Sequence, residues 1–162
     1  MMRQAANLTP ERAAGTGSWQ ARFRCMKPHR RIVNQPVVLM VEDEPLVRLT
    51  QVDILREAEI WVVEAQDADE AFELLKTRPD IRAVLTDVNM PGSMDGFEFA
   101  RLVRQGWPEV GVLVISGKTG PGPGDLPPNA DFLHKPILPD DLVAALRRVM
   151  ARHPQGSLTS EA

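Results

Sequence analysis

Val37-Val38-Leu39-Met40-Val41-Glu42-Asp43 has a form that recurs along the chain: a short apolar run ending abruptly on polar residues. Ala83-Val84-Leu85-Thr86 runs into Asp87, Val112-Leu113-Val114-Ile115 into Ser116, and Phe132-Leu133-His134 into Lys135-Pro136. Short apolar runs bounded by turn residues predict strands buried on both faces, the habit of parallel sheets. In open α/β sheets, ligands bind in the crevice beyond the carboxyl ends of the strands. As neighbours in one sheet, these runs would bring Glu42, Asp43, Asp87, Ser116 and Lys135 to a single edge. Three acids, a hydroxyl and an ammonium together suit phosphate chemistry.

Between the runs the apolar spacing turns helical. Leu46, Leu49, Val52 and Leu55 predict the buried face of a helix over 45–58, with Pro45 in its first turn, where a missing N–H costs little. A strand is expected over 60–64. A helix over 68–77 follows, with Asp67 as N-cap and Glu70 three residues later in a capping-box pattern. Further strands are expected over 82–86, 110–115 and 131–134, a helix over 96–105, and a last helix after Pro139. Strands alternating with helices predict βαβ units and a parallel sheet, with right-handed crossovers.

One unit breaks the alternation. Where a helix is due between the last two strands stands Thr119-Gly120-Pro121-Gly122-Pro123-Gly124-Asp125-Leu126-Pro127-Pro128-Asn129. An interior Pro costs a helix about 3 kcal/mol and a Gly about 1 kcal/mol. A loop is expected there, with at most a single turn near 125–129.

The chain has 162 residues, enough for one domain with a real core. One cysteine, Cys25, forms no internal disulfide, which fits a reducing compartment. No stretch approaches the roughly 18 apolar residues of a membrane span, nor does the N-terminus carry an apolar secretory segment. A cytoplasmic protein is expected. Residues 1–35 hold seven Lys and Arg against one acid, and the remainder twelve against twenty-one acids. We therefore expect a disordered basic leader over 1–35, an acidic folded domain over 36–153 and a frayed tail over 154–162. The acidic body argues against nucleic acid as the main partner.

Val38-Leu39-Met40-Val41-Glu42-Asp43-Glu44, Leu85-Thr86-Asp87-Val88-Asn89-Met90-Pro91, Asp95-Gly96, Val114-Ile115-Ser116-Gly117 and Phe132-Leu133-His134-Lys135-Pro136 resemble, in order and spacing, the receiver domain of two-component response regulators. The likeness is CheY-like. It implies a doubly wound five-stranded parallel sheet in the flavodoxin-like order 2-1-3-4-5, here with the fourth helix absent or reduced to a loop.

The resemblance also implies roles. Asp87 would be the phosphoacceptor, a carboxylate acting as nucleophile toward a phosphoryl group. Asp43 and Asp87 would ligate Mg²⁺, with Glu42 helping through water and the Asn89 carbonyl completing the protein's share. Ser116 and Lys135 would bind phosphoryl oxygens, and Phe132 would occupy the aromatic switch position that moves with Ser116. The family's Lys–Pro bond is commonly cis, which Lys135-Pro136 would share. Such a domain takes its phosphoryl group from a sensor histidine kinase or a histidine phosphotransfer protein. It catalyses only its own phosphorylation and dephosphorylation.

Only about nine residues follow the last helix, so a stand-alone regulator working through a downstream protein, without DNA or membrane contact, is expected. The loop Met90-Pro91-Gly92-Ser93-Met94-Asp95-Gly96 is one residue longer than the common family form. With the fourth helix lost, the resemblance does not carry over a dimer through the face of fourth helix, fifth strand and last helix. One alternative keeps the receiver shape as an adaptor that is never phosphorylated. Another is a haloacid-dehalogenase-type phosphatase, which wants a second Asp where this chain has Asn89. A flavodoxin-like cofactor domain would need a hydroxyl-rich loop where Glu42-Asp43-Glu44 stands. There is no Walker or Gly-x-Gly-x-x-Gly signature, and the histidines lack zinc spacing.

Overall fold

The computed structural model describes residues 35–118 and 120–152, so the expected C-terminal tail, and the expected basic leader apart from Gln35, lie outside the described residues. Within them the chain alternates β1 (Val37–Val41), α1 (Pro45–Glu57), β2 (Trp61–Ala65), α2 (Ala68–Thr77), β3 (Ile81–Asp87), α3 (Gly96–Gly106), β4 (Gly111–Ser116), β5 (Asp131–His134) and α4 (Pro139–Ala151). The five strands pair in parallel in the order β2-β1-β3-β4-β5. The flavodoxin-like doubly wound sheet expected from the sequence is the fold of the molecule.

Alternation along each strand splits the core in two. Leu39, Val41, Val84, Val112 and Val114 face α2 and α3, where Ala71, Leu75, Phe99, Ala100 and Val103 are buried. Val38, Met40, Ala83, Leu85, Leu113 and Ile115 face α1 and α4, against Val52, Leu55, Leu142 and Leu146. Strands covered on both faces read as unbroken apolar runs, and every residue of β1 and β4 is buried. The chain runs to β2 on one side of β1 and then to β3 on the other. The carboxyl ends of β1 and β3 therefore flank the switch point where such folds bind ligands.

The helix caps follow the local sequence. Asp67 accepts from the Glu70 amide at 2.8 Å, and the Glu70 carboxylate accepts from the Gln66 amide at 2.9 Å, one residue earlier than a capping box would place it. Asp95 caps α3 through the Glu98 amide at 2.8 Å.

Two details differ from expectation. Ile60 does not begin β2: its amide bonds the Leu55 carbonyl at 2.9 Å and closes α1, with Glu59 turned to φ +60°. Leu46 and Leu49 are not core but 74% and 55% exposed. Steps of three residues lag a helical turn by about 60° each, so Leu46 lies opposite Leu55 after three of them. The buried face is instead Gln51, Val52 and Leu55. Trp61 is half exposed on the edge strand β2, with its indole N–H on Gln35, while Trp107 packs against the core and stacks on Phe72.

Among the described residues, no helix forms between β4 and β5. Leu126, Ala130 and Phe132 close over the α3-side core there, and Pro127 is buried. The loop is pinned by its own Asp125, which accepts from the Gly122 amide at 2.7 Å, and by Arg101 of α3 on the Asp125 carbonyl at 3.3 Å. No described helix is long and apolar enough to cross a membrane.

Candidate functional site

The sheet register delivers the four strand ends to one edge. Val41 pairs with Thr86, Asp87 with Ile115, and Ser116 with His134. Glu42 and Asp43 leave β1, Asp87 ends β3, Ser116 ends β4, and Lys135 follows β5.

Lys135 joins three of these ends. Its Nζ donates to Asp87 Oδ2 at 2.7 Å and to Glu42 Oε2 at 3.3 Å. Both acids are deeply buried, Glu42 at 2% and Asp87 at 6% exposure. Buried carboxylates persist only when paired, and one ammonium serves both. Burial pushes the Glu42 carboxyl above its usual range, opposed by the charge of Lys135. Burial disfavours the Lys135 ammonium as well, but the hydrogen bond to Asp87 and the two carboxylate charges outweigh it and raise its pKa. The peptide between Lys135 and Pro136 is cis, as in the family the sequence resembles.

The backbone around Asp87 is held on every side. Thr86 Oγ1 donates to the Asp87 carbonyl at 2.9 Å, and the Asn89 amide donates to Asp87 Oδ1 at 3.3 Å. The Val88 amide reaches Ile115 O at 3.0 Å, and the Gly96 amide reaches Val88 O at 3.0 Å. A Cβ on Gly96 would sit 2.0 Å from the Asp87 carbonyl oxygen, so the Asp95-Gly96 pair caps α3 and lets it approach the Asp87 backbone. The sequence carried Gly96 only as part of a resemblance; its contact with Asp87 spans two elements.

Ser116 is 1% exposed, and its Oγ accepts weakly from the Lys118 amide at 3.4 Å. Its carbonyl accepts from the Lys135 amide at 2.8 Å, tying the hydroxyl strand to the lysine strand. Phe132 is half buried, stacked on Phe97 at 6.4 Å and edge-on to His134 at 5.0 Å. Asp43 is half buried and makes no hydrogen bond or ion pair among the described residues.

The donors present are hard oxygens. Among the described residues, no three His, Cys, Asp or Glu side chains gather closely enough to hold an ion by themselves. Mg²⁺ does not need three: it keeps several waters and takes one or two carboxylates beside phosphate oxygens. Glu42 is committed to Lys135, whereas Asp43 and Asp87 Oδ1 remain available as ligands. Three carboxyl groups beside one ammonium make the edge rich in acidic oxygens, which suits a divalent cation. The donor chemistry fits.

Residues 38–147 match the response regulator receiver domain family. The hydrogenase transcriptional regulatory protein HoxA of Cupriavidus necator is 36% identical over 132 residues, 76% of this chain and 26% of HoxA. The chain therefore spans about a quarter of that relative. The response regulator receiver protein CpdR of Brucella abortus is 30% identical over 116 residues, 70% of this chain and 95% of CpdR. A response regulator receiver protein from Sinorhizobium medicae shares the fold with a TM-score of 0.70 at 24% identity, over 75% of this chain and 98% of its own. Strand order, sequence match and likeness to solved folds agree, and the chain belongs to the response regulator receiver domain family.

Proposed function

We infer that this domain accepts a phosphoryl group on Asp87 from a histidine kinase or a histidine phosphotransfer protein, then signals by protein–protein contact or passes the group on. The observation that carries the reading is the strand-end carboxylate with an ammonium 2.7 Å away. Phosphoryl transfer needs positioning and charge neutralisation more than covalent help.

In the step, a carboxylate oxygen of Asp87 attacks phosphorus in line. The P–N bond to the donor imidazole breaks, its electron pair returns to the imidazole, and that ring takes up a proton. The product is an acyl phosphate on Asp87. Lys135 follows the negative charge from the carboxylate to the phosphoryl oxygens. Ser116 turns its hydroxyl to donate to another of them, and Phe132 responds as the switch. Asp43, Asp87 and the Asn89 carbonyl would hold Mg²⁺, with Glu42 assisting through water. The ion's contribution is neutralisation of the phosphoryl oxygens.

The surface beside the site suits a phosphodonor protein. Leu46, Leu49 and Leu138 are exposed, and Leu46 opens a groove of about 340 Å³ between α1 and the turn after β5, lined also by Thr50, Ile54 and Ile137, with Lys135 on its wall. A partner seated there would bring its phosphohistidine to Asp87. The reading assigns no chemistry on other molecules, no DNA contact and a cytoplasmic location, where kinases have ATP.

Incubating the chain with Mg²⁺ and acetyl phosphate tests it. Intact mass is expected to rise by one phosphoryl group in the wild type and not in Asp87→Ala. A wild type that stays unlabelled by acetyl phosphate and unchanged by beryllofluoride refutes the phosphoacceptor and leaves the adaptor.

A further inference from the structure

Glu44 is the N-cap residue of α1, but its side chain makes no capping hydrogen bond. The turn from β1 into α1, which carries Glu42 and Asp43, is held by other contacts, among them the Glu44 amide on Glu42 Oε1 at 3.3 Å. Arg48, one turn into α1, reaches back and donates from Nη1 to the Glu42 carbonyl at 2.7 Å. Its Nε pairs with Glu64 of β2 at 3.3 Å, and its side chain is largely buried.

The Glu42 carbonyl belongs to the peptide that joins Glu42 to Asp43. Fixing that plane fixes the direction in which the Asp43 side chain leaves the backbone. A guanidinium suits the task, because its planar fork engages two acceptors at once, whereas an ammonium is a single rotatable point charge. The contact is charge-assisted and among the stronger hydrogen bonds a protein makes.

We propose that Arg48 is a positioning residue for divalent-cation binding: it clamps the Glu42–Asp43 peptide to β2 and so aims Asp43. The proposal rests on the reading of Asp43 and Asp87 as cation ligands. Geometry and charge make opposite demands here. As a nearby positive charge, Arg48 opposes a cation, so removing it would tighten binding. As a clamp, it favours the cation, so removing it weakens binding.

Mg²⁺ titration of the full chain by calorimetry separates the two. Arg48→Met and Arg48→Lys are each expected to lose roughly tenfold in affinity, the scale on which outer partners of metal ligands act. Without cation, the Asp43 and Glu44 amide resonances of both variants are expected to broaden or double. Arg48→Lys keeps the charge and the aliphatic stem, so it provides the test even if Arg48→Met folds poorly. Tighter binding by Arg48→Met, or unchanged affinity and sharp amides in Arg48→Lys, overturns the clamp while the cation site stands. A wild type that binds no Mg²⁺ overturns both.

Discussion

Replacing Gly96 by alanine tests whether the backbone at Asp87 is held by the approach of α3. The added Cβ would meet the Asp87 carbonyl oxygen at 2.0 Å, and the carbonyl carbon and Val88 Cα each at 2.8 Å. Non-bonded carbon contacts sit near 3.5–4.0 Å, so the two backbones must part by roughly 1 Å or more. Neither side yields easily. The Gly96 amide is bonded to Val88 O and the Val88 amide to Ile115 O, both at 3.0 Å, so separation strains α3 and β4 together. Overpacking a tight site costs about 1–3 kcal/mol, or some 4–12 °C in Tm for a domain of this size. A nucleophile displaced by about 1 Å loses on the order of a hundredfold in rate. Thermal unfolding followed by circular dichroism reads the first effect, and the rate of acetyl phosphate labelling reads the second. Gly106→Ala is the control. A Cβ there meets nothing within 4 Å, so the substitution is expected to be neutral or slightly stabilising. Gly96→Ala with the melting point and labelling rate of the wild type would refute the close approach as the constraint on Asp87.

Lys135→Met would leave two buried carboxylates without their shared cation. A loss of about 2–3 kcal/mol, reduced because Lys135 is partly exposed, is expected in urea unfolding, together with loss of labelling. Equal stability would mean that Glu42 and Asp87 do not depend on it. Glu59 holds φ +60° on the surface, a conformation that costs a side chain about 1–2 kcal/mol; Glu59→Gly should gain about 1 kcal/mol in the same assay, and Glu59→Val should lose stability. Gln51 is buried with its Oε1 unpartnered, a burden of about 1–3 kcal/mol. Gln51→Leu should raise Tm by a few degrees, and a lower Tm would show that the amide is satisfied in solution.

The parts of this fold that the sequence reveals are those decided within a few residues. Five successive apolar residues at 37–41 mark a doubly covered strand. Asp67 followed by Glu70 marks a helix start, and four prolines among residues 119–129 forbid a helix. Leu46 and Leu49 mislead because a three-residue spacing resembles a stripe while it winds around the helix. The site divides in the same way. Its residues are legible as strand ends, since parallel pairing aligns them whatever the details. The partners each end finds are not legible. Lys135 meets Glu42 across 93 positions, and Arg48 turns back on a carbonyl that any residue could present. Backbone carbonyls leave no mark in a sequence, so the clamp on Glu42 and the seat of Gly96 emerge only from tertiary approach.

The segment that replaces the family's fourth helix has a thermodynamic character of its own. Among its described amides, Asp125 and Ala130 donate to backbone carbonyls, and four prolines offer no N–H. Without a ladder of mutually dependent bonds, such a stretch opens at little free energy, whereas the amides of β4 are released only with the whole domain. Hydrogen exchange should therefore divide sharply at Gly117. A perturbation at Ser116 is therefore expected to change how many conformations this segment samples, where a helix would answer by moving as a rigid lever.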